Sequence, residues 1–432
     1  MNMTAAGRDA GDPETTVTVL PNGVRVVVIP LPHLQTASVG VFVHAGSAHE
    51  ARALNGVSHF VEHMVFKGTA TRDVHRINLD AERLGAEVNA HTDKDHTAYY
   101  MRGRGAHAAR FVQMLADIVQ HATFPEDEME REREVLLQEA AEVADDPVDT
   151  AYQLFDHACW GLHPAAQAVI GGRRQIERLR RADLVGWVTQ HYTAANVVVA
   201  AAGPVDPEAI VREVEQAFGS LSRGRAGGLA LPEYGGGIRT RRLPGSSQLH
   251  LVLGFPLAPR SEDDTAAEVA AAVFGEGMSS PLLSELRERR GLAYHAACMA
   301  DRYDLCGQFA VEASIAPDKQ DEFLRELMQL LIRQAQATDA VDLERARNQL
   351  AVRLLRDRDR PSRRMEQAAL DLFALGRVRS GAEQLARIDA VTATSVSEVM
   401  QRMLDAGVSL AITGSVGRAA GERARASLLL AA

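Results

Sequence analysis

From Thr16 onward the chain alternates between short apolar runs of period two and longer stretches of helical period. TVTVLPNGVRVVVIP reads as two strands around a Pro21-Asn22-Gly23 turn, and ASVGVFVHAGS as a third strand ended by small residues. GVSHFVEHMVFKG follows as an apolar-rich helix, and His75 to Leu84 as an amphipathic one with Gly85 in the closing position. AEVNAHT and HTAYYMRG alternate as two further strands, joined by a polar loop around Asp93-Lys94-Asp95. Helical periodicity covers about 105–121 and 126–144 and recurs to about 191, before NVVVAAAGPVD closes the half as a strand. The Gly/Pro-rich stretch GRAGGLALPEYGGG, residues 224–237, then breaks the pattern.

Beyond the break the pattern repeats. A shift of 214 positions carries Gly23-Val24-Arg25 onto Gly237-Ile238-Arg239, Gly40 onto Gly254, Ser47 onto Ser261 and Pro147 onto Pro361. It carries Glu62-His63-Met64 onto Glu276-Gly277-Met278, and a shift of 211 pairs Gly203 with Gly414. The expected fold class is α+β: two homologous α/β-sandwich halves, each a mostly antiparallel sheet flanked by helices, related by internal duplication. The expected division is a disordered N-terminus (1–15), a first domain (16–223), a linker (224–237) and a second domain (238–432).

Composition narrows the function classes. A chain of 432 residues is too long for one ordinary core. Its formal charge of −10 argues against a nucleic-acid partner, because the local arginine clusters are interleaved with acids and read as solvated helix faces. Cys159, Cys298 and Cys306 have unrelated spacings and suggest neither a disulfide framework nor a thiolate metal site. The polar start lacks a basic segment followed by an apolar one, and no apolar run is long enough for a membrane span, so the expectation is a soluble, cytoplasmic chain without a membrane partner.

The candidate chemistry lies in His59-Phe60-Val61-Glu62-His63. On a helix, histidines at i and i+4 share a face, the spacing at which two imidazoles close on one Zn²⁺. Glu62 shares that face and can act on a water beside the ion instead of ligating it. Taken alone, the same pattern fits a solvated helix face with one weak ion pair. The shift by 214 takes His59 to Val273 and His63 to Gly277, so the second half has lost both histidines, as expected of a chemical site grafted on one copy. A third ligand is sought in the acidic helix FPEDEMEREREVLLQEAAEVADDP, where Glu132 and Glu139 are two turns apart on one face and Glu139 maps onto Arg353. Helix composition alone does not select Glu139 among the many acids there.

These features resemble the M16, or pitrilysin/insulinase, family of zinc metallopeptidases, and most closely its two-domain class, which is similar to mitochondrial processing peptidase. GVSHFVEHMVFKGT looks like the family signature, and the likeness spans nearly the whole chain from about residue 16. In the family a ligating Glu falls about 76 residues after the second His, which matches Glu139, with a supporting Glu seven residues earlier, matching Glu132. The resemblance implies that His59, His63 and Glu139 bind Zn²⁺, that Glu62 is the general base, and that Glu132 steadies a ligand from behind. It also implies that Phe66 lines the substrate pocket and that Asn89 and Ala90 bind an extended peptide along a strand edge. In the second half, Arg287 and Tyr294 match a pair that steadies the substrate carbonyl in relatives.

The expected activity is that of a metalloendopeptidase acting on short or unfolded peptides. With the motif and the Arg/Tyr pair in one chain, the resemblance implies a homodimer enclosing a chamber, the zinc half of one copy facing the Arg/Tyr half of the other. The alternatives are a silent binding or assembly subunit of the same fold, and a maturation enzyme dedicated to one peptide. The chain departs from the family pattern at HPAAQAVIGG (163–172), where relatives more often carry an aromatic and a basic residue after His-Pro.

Overall fold

A computed structural model of the chain describes residues 15–225 and 228–429. All but Thr15 of the segment expected to be disordered lies outside the described residues, as do Ala226 and Gly227 of the expected linker. In chain order the first half contains β1 (Thr16–Val19), β2 (Arg25–Pro30), β3 (Thr36–Val43), α1 (Val57–Met64), α2 (Val74–Arg83), β4 (Glu87–Thr92) and β5 (Thr97–Arg104). It continues with α3 (Ala108–Gln120), α4 (Glu126–Asp145), α5 (Pro147–Trp160), α6 (Arg173–Ile176), α7 (Arg181–His191), β6 (Val197–Gly203) and α8 (Pro207–Phe218).

The second half contains β7 (Gly237–Arg242), β8 (Leu249–Leu257), α9 (Thr265–Gly275), a π-helical segment (Leu283–Arg289), β9 (His295–Arg302) and β10 (Gly307–Ile315). Then come α10 (Gln320–Gln336), α11 (Ala340–Arg358), α12 (Pro361–Leu375), α13 (Gly381–Ala390), α14 (Ala393–Ala406), β11 (Ser409–Gly414) and α15 (Ala420–Leu429). None of the described helices is long and apolar enough to cross a membrane. Cys159, Cys298 and Cys306 form no disulfide with one another.

The described residues divide into two compact units: those within 1–140, 167–229 and 355–382 form the first, and those within 141–166, 230–354 and 383–432 the second. The break between Leu229 and Ala230 falls inside the Gly/Pro-rich stretch. A linear cut at 223 and 238 misses one feature: each half of the chain gives a segment to the other unit. That difference has a physical cause visible in each sheet.

In the first unit the strand order is β1-β2-β6-β3-β5-β4. All pairs are antiparallel except β2 with β6. Successive side chains on a strand point to opposite faces. Val26, Val28, Val39, Val41 and Val43 join one apolar layer with Phe60, Phe111 and Leu115 of the helices. Val27, Ile29, Phe42, Val198 and Ala200 join the opposite layer, which is completed by Met365, Ala368, Ala369 and Leu372 of α12. Those four positions form one helical stripe, and with both faces covered the central strands read as unbroken apolar runs. Gly40 allows the close approach, since a β-carbon there would lie 2.9 Å from the Met365 methyl.

The second unit repeats this plan. Its sheet runs β7-β11-β8-β10-β9, with β7 and β11 parallel and the other pairs antiparallel. That is the order of the first sheet under the repeat, without a counterpart of β1. Leu249, Leu251, Leu253 and Phe255 face a layer of α9, α10 and α14 side chains. Val252 faces Ala151, Phe155 and Cys159 of α5. Gly254, the repeat partner of Gly40, again makes room: a β-carbon there would lie 2.7 Å from the Phe155 ring. Two α+β halves built by duplication is therefore the fold, with α5 and α12 exchanged between them.

Candidate metal centre

The motif helix α1 starts at Gly56, whose φ of 96° lies in the left-handed region that favours glycine. Its free N–H groups are met by the carboxylate of Glu50, which is 1% exposed. Glu50 Oε2 accepts from Gly56 N (2.7 Å) and Asn55 Nδ2 (2.8 Å), and Oε1 accepts from Ser58 N (2.8 Å) and Ser58 Oγ (2.5 Å). The buried Glu50 carboxyl thus caps the positive end of the helix dipole; burial pushes its pKa up, against the four donors that favour its ionised form. Gln167 Nε2 donates to the carbonyls of Ser47 and Glu50, and Asn55 Nδ2 to that of Ala168, so the loop after Ala166 braces the start of the helix.

The helix aims His59 and His63 along one side, with ring centroids 4.7 Å apart and planes at 77°. Glu139 reaches them from α4: its Oε2 lies 3.9 Å from His59 Nε2 and 3.8 Å from His63 Nε2. Burial, and then the neighbouring His63, pushes the His59 imidazole down to about 4, so the ring is held in the neutral form that binds metal. From behind, Glu132 Oε2 lies 3.1 Å from His63 Nδ1, and Lys67 Nζ pairs with Glu132 Oε1 at 2.6 Å. Burial alone would raise the Glu132 carboxyl, but Lys67 and His63 outweigh it and hold the group below its usual range. An ionised Glu132 makes His63 Nδ1 a donor and leaves Nε2 free to ligate. His59 Nδ1 has no hydrogen-bond partner among the described residues, so only one ring of the pair is oriented through its second nitrogen.

Glu62 points at the same space but joins no metal-competent set among the described residues. Its Oε2 accepts from Thr92 Oγ1 at 2.6 Å, and burial pushes its carboxyl up, against Thr92 and His63. The donor set fits zinc. His59, His63 and Glu139 each offer one atom within 4.8 Å of the others, and tetrahedral Zn–N and Zn–O bonds of about 2.0–2.2 Å give ligand–ligand edges of about 3.4 Å. Closing 3.8–3.9 Å to that edge needs only a small side-chain rotation.

The remaining predicted residues fall on other elements. Phe66 packs on the helical core beside Tyr99, ring centroids 6.2 Å apart. Asn89 and Ala90 lie on β4, which is the sheet edge and pairs only with β5 among the described residues. The Ala90 N–H donates to Asn89 Oδ1 at 2.8 Å. Arg287 and Tyr294 belong to the second unit. Arg287 lies in the π-helical segment with Met278 Sδ 3.9 Å from its Nη1, and Tyr294 is 63% exposed just before β9. Glu50, Lys67, Thr92 and Gln167 were missed in the sequence. Lys67 could have been found as the residue one turn beyond His63, whereas no local pattern announces a cap six residues upstream of Gly56.

The family model described as Insulinase (Peptidase family M16) matches residues 25–173, and that of the Peptidase M16 inactive domain matches residues 178–350. An uncharacterized zinc protease of Mycobacterium tuberculosis is 34% identical over 95% of this chain and 96% of its own length. One of Rickettsia bellii is 30% identical over 92% of this chain and 97% of its own. The crystal structure of a protease from Helicobacter pylori shares the fold at a TM-score of 0.85 and 21% identity, covering 93% of this chain and 99% of that one. Two relatives named as zinc proteases, each matched over nearly the whole chain, and two domain matches show the family: the chain belongs to peptidase family M16.

Proposed function

We propose that the chain is a zinc-dependent endopeptidase that hydrolyses short or unfolded peptides. The observation that carries this reading is the convergence of His59 Nε2, His63 Nε2 and Glu139 Oε2 beside a fourth group outside that set, the Glu62 carboxyl. His59, His63 and Glu139 would hold the ion, which when bound supplies Lewis-acid polarisation of the scissile carbonyl and lowers the pKa of water. Glu62 takes a proton from the attacking water and returns it to the leaving amine, and the Thr92 hydroxyl keeps one of its oxygens in place for both transfers. Lys67 and Glu132 keep His63 in its ligating tautomer. An extended peptide adds to the edge of β4 at Asn89 and Ala90, displacing the Asn89 side chain from the Ala90 N–H, with Phe66 beside the scissile bond. Main-chain pairing of this kind demands an unfolded substrate and gives weak sequence preference.

Arg287 and Tyr294 are assigned to the developing oxyanion, and both are exposed enough to meet a substrate. A homodimer in which each copy supplies them to the other's metal centre completes the proposal, in a cytoplasmic setting. The test is to purify the wild type and Glu62→Gln, measure zinc, and assay a mixture of unstructured peptides. Zinc in both with cleavage only by the wild type supports the reading. Equal cleavage by the two refutes it, and a zinc-free wild type after growth with metal favours a silent subunit. Light scattering checks the dimer, and an active monomer would remove Arg287 and Tyr294 from their assigned role.

A further inference from the structure

We propose that His91, His96 and Glu366 form a second metal site, one that takes a single zinc ion and is separate from the His59–His63–Glu139 centre. Alternation along β4 sends Thr92 to Glu62 and the neighbouring His91 to the opposite face of the sheet. There His91 Nε2 lies 3.3 Å from His96 Nε2 and 3.5 Å from Glu366 Oε1 on α12. All three residues belong to the first unit. Their three ligand atoms lie within 4.8 Å of one another. Two of these separations match the edge of about 3.4 Å expected of tetrahedral zinc, more closely than those of the catalytic triad.

The supporting contacts are those of a built site. His96 is 3% exposed, and its Nδ1 lies 2.8 Å from Asp95 Oδ1, the carboxylate–histidine arrangement that turns the other nitrogen into a ligand. Arg363 Nη1 donates to Glu366 Oε2 at 3.0 Å, leaving Oε1 for the metal. His91 and Glu366 also line a cavity of about 630 Å³ shared with Asp93, Tyr100 and Arg102, so an ion and a water ligand have a way in. Around His91 the charges are mixed: Asp93 and Glu366 favour a cation and Arg363 opposes one, while burial and His96 press the ring toward its neutral, ligating form. Two imidazoles and one carboxylate suit zinc. The ion would clip the strand that carries Asn89 and Ala90 to α12.

The same distances also fit a neutral His91 that donates Nε2–H to His96, and metal counting separates the two. The experiment is zinc analysis of the full-length protein after dialysis against buffered zinc, for the wild type, His63→Ala, Glu366→Gln and His91→Gln. The expected result is two equivalents in the wild type and one in each variant, with zinc raising the Tm of His63→Ala but not of His63→Ala/Glu366→Gln. Cobalt substituted into His63→Ala should give the visible bands of a tetrahedral ion, absent when Glu366→Gln is added. Zinc contents of Glu366→Gln and His91→Gln equal to wild type would overturn the proposal. A wild type holding one zinc that survives His63→Ala and is lost in Glu366→Gln would uphold it while refuting the catalytic zinc.

Discussion

The His59–His63–Glu139 centre and its repeat counterpart in the second unit are the same piece of fold used in opposite ways. Under the shift of 214, His59, Glu62, His63, Glu132 and Glu139 correspond to Val273, Glu276, Gly277, Ala346 and Arg353. Only the acid of the motif survives, and Arg353 Nη2 sits 2.8 Å from Glu276 Oε2. The helix itself has changed. In the second unit α9 ends at Gly275, Glu276 is extended, and Gly277 turns the chain at a φ of 85°. Arg345 then donates to the carbonyls of Val273 and Glu276 at that helix end. Where one copy gathers three candidate ligands for a cation, the other supplies cationic charge covalently. A chemical site on a duplicated fold is thus confined to a handful of positions, while the sheet, the layers and the strand order are kept.

The two copies should differ most sharply when the second unit's residue is placed in the first. Glu139→Arg should empty the His59–His63–Glu139 centre and abolish peptide cleavage while the fold persists, since a guanidinium beside a glutamate is already accommodated at the equivalent place. Zinc content, activity and circular dichroism together check it, and a zinc stoichiometry equal to that of the wild type would remove Glu139 from the ligand set. Next in size, Glu62→Gln should lower kcat by about 10²–10⁴-fold with zinc retained, the range for loss of a general base. Its counterpart Glu276→Gln should leave kcat unchanged, and steady-state kinetics on the two variants gives the contrast directly.

A smaller effect is expected behind the ligand. Glu132→Gln should weaken zinc by about 10–100-fold, the usual cost of losing an outer-shell partner, read by competition with a chelator. Acid should also act on the first unit. His49 and His191 are held at about 3 and about 4 by burial, and for His49 also by His44 and His191. Below about 6.5 the unfolded chain binds protons that the fold excludes, so stability falls as pH drops toward 4, by at most about 1.4 kcal/mol per pH unit for each ring. Urea unfolding from pH 7 to 4.5 measures the slope, and His49→Gln should flatten it. Least of all, Arg353→Met should change stability by about 0–1 kcal/mol, because its side chain is 56% exposed and the ion pair is screened. A larger loss would make that pair structural.

Much of this was legible in the residues. The apolar runs of β2, β3 and β6 and the stripe of α3 set the layers, and the repeat fixed the plan of the second half. His59, Glu62 and His63 followed from helical spacing. Glu139 was reached through the repeat and the family likeness, because a solvated acidic helix does not by itself distinguish one carboxylate from its neighbours. The exchange of α5 and α12 was not legible: a stripe such as Met365, Ala368, Ala369 and Leu372 says that a helix covers something apolar, not which sheet. Gly40 and Gly254 were noticed as repeat partners, yet only packing shows that both thin the sheet for a helix. The Glu50 cap was hidden for a related reason, since a lone acid in a loop looks solvated until the N–H groups that claim it are in place.

The exchanged helices also bear on how the chain can be made and where it came from. A fragment ending at the Gly/Pro-rich stretch would carry all of the first sheet but lack α12, leaving Val27, Ile29 and Phe42 uncovered. It would be expected to aggregate or to capture another chain. Each unit is completed only when residues far apart in sequence have met, so folding is committed late and to the whole chain. The same geometry suggests an ancestor of half the length. Two identical copies trading one helix each would have been a swapped dimer, and fusing their genes would turn that exchange into the present intramolecular one.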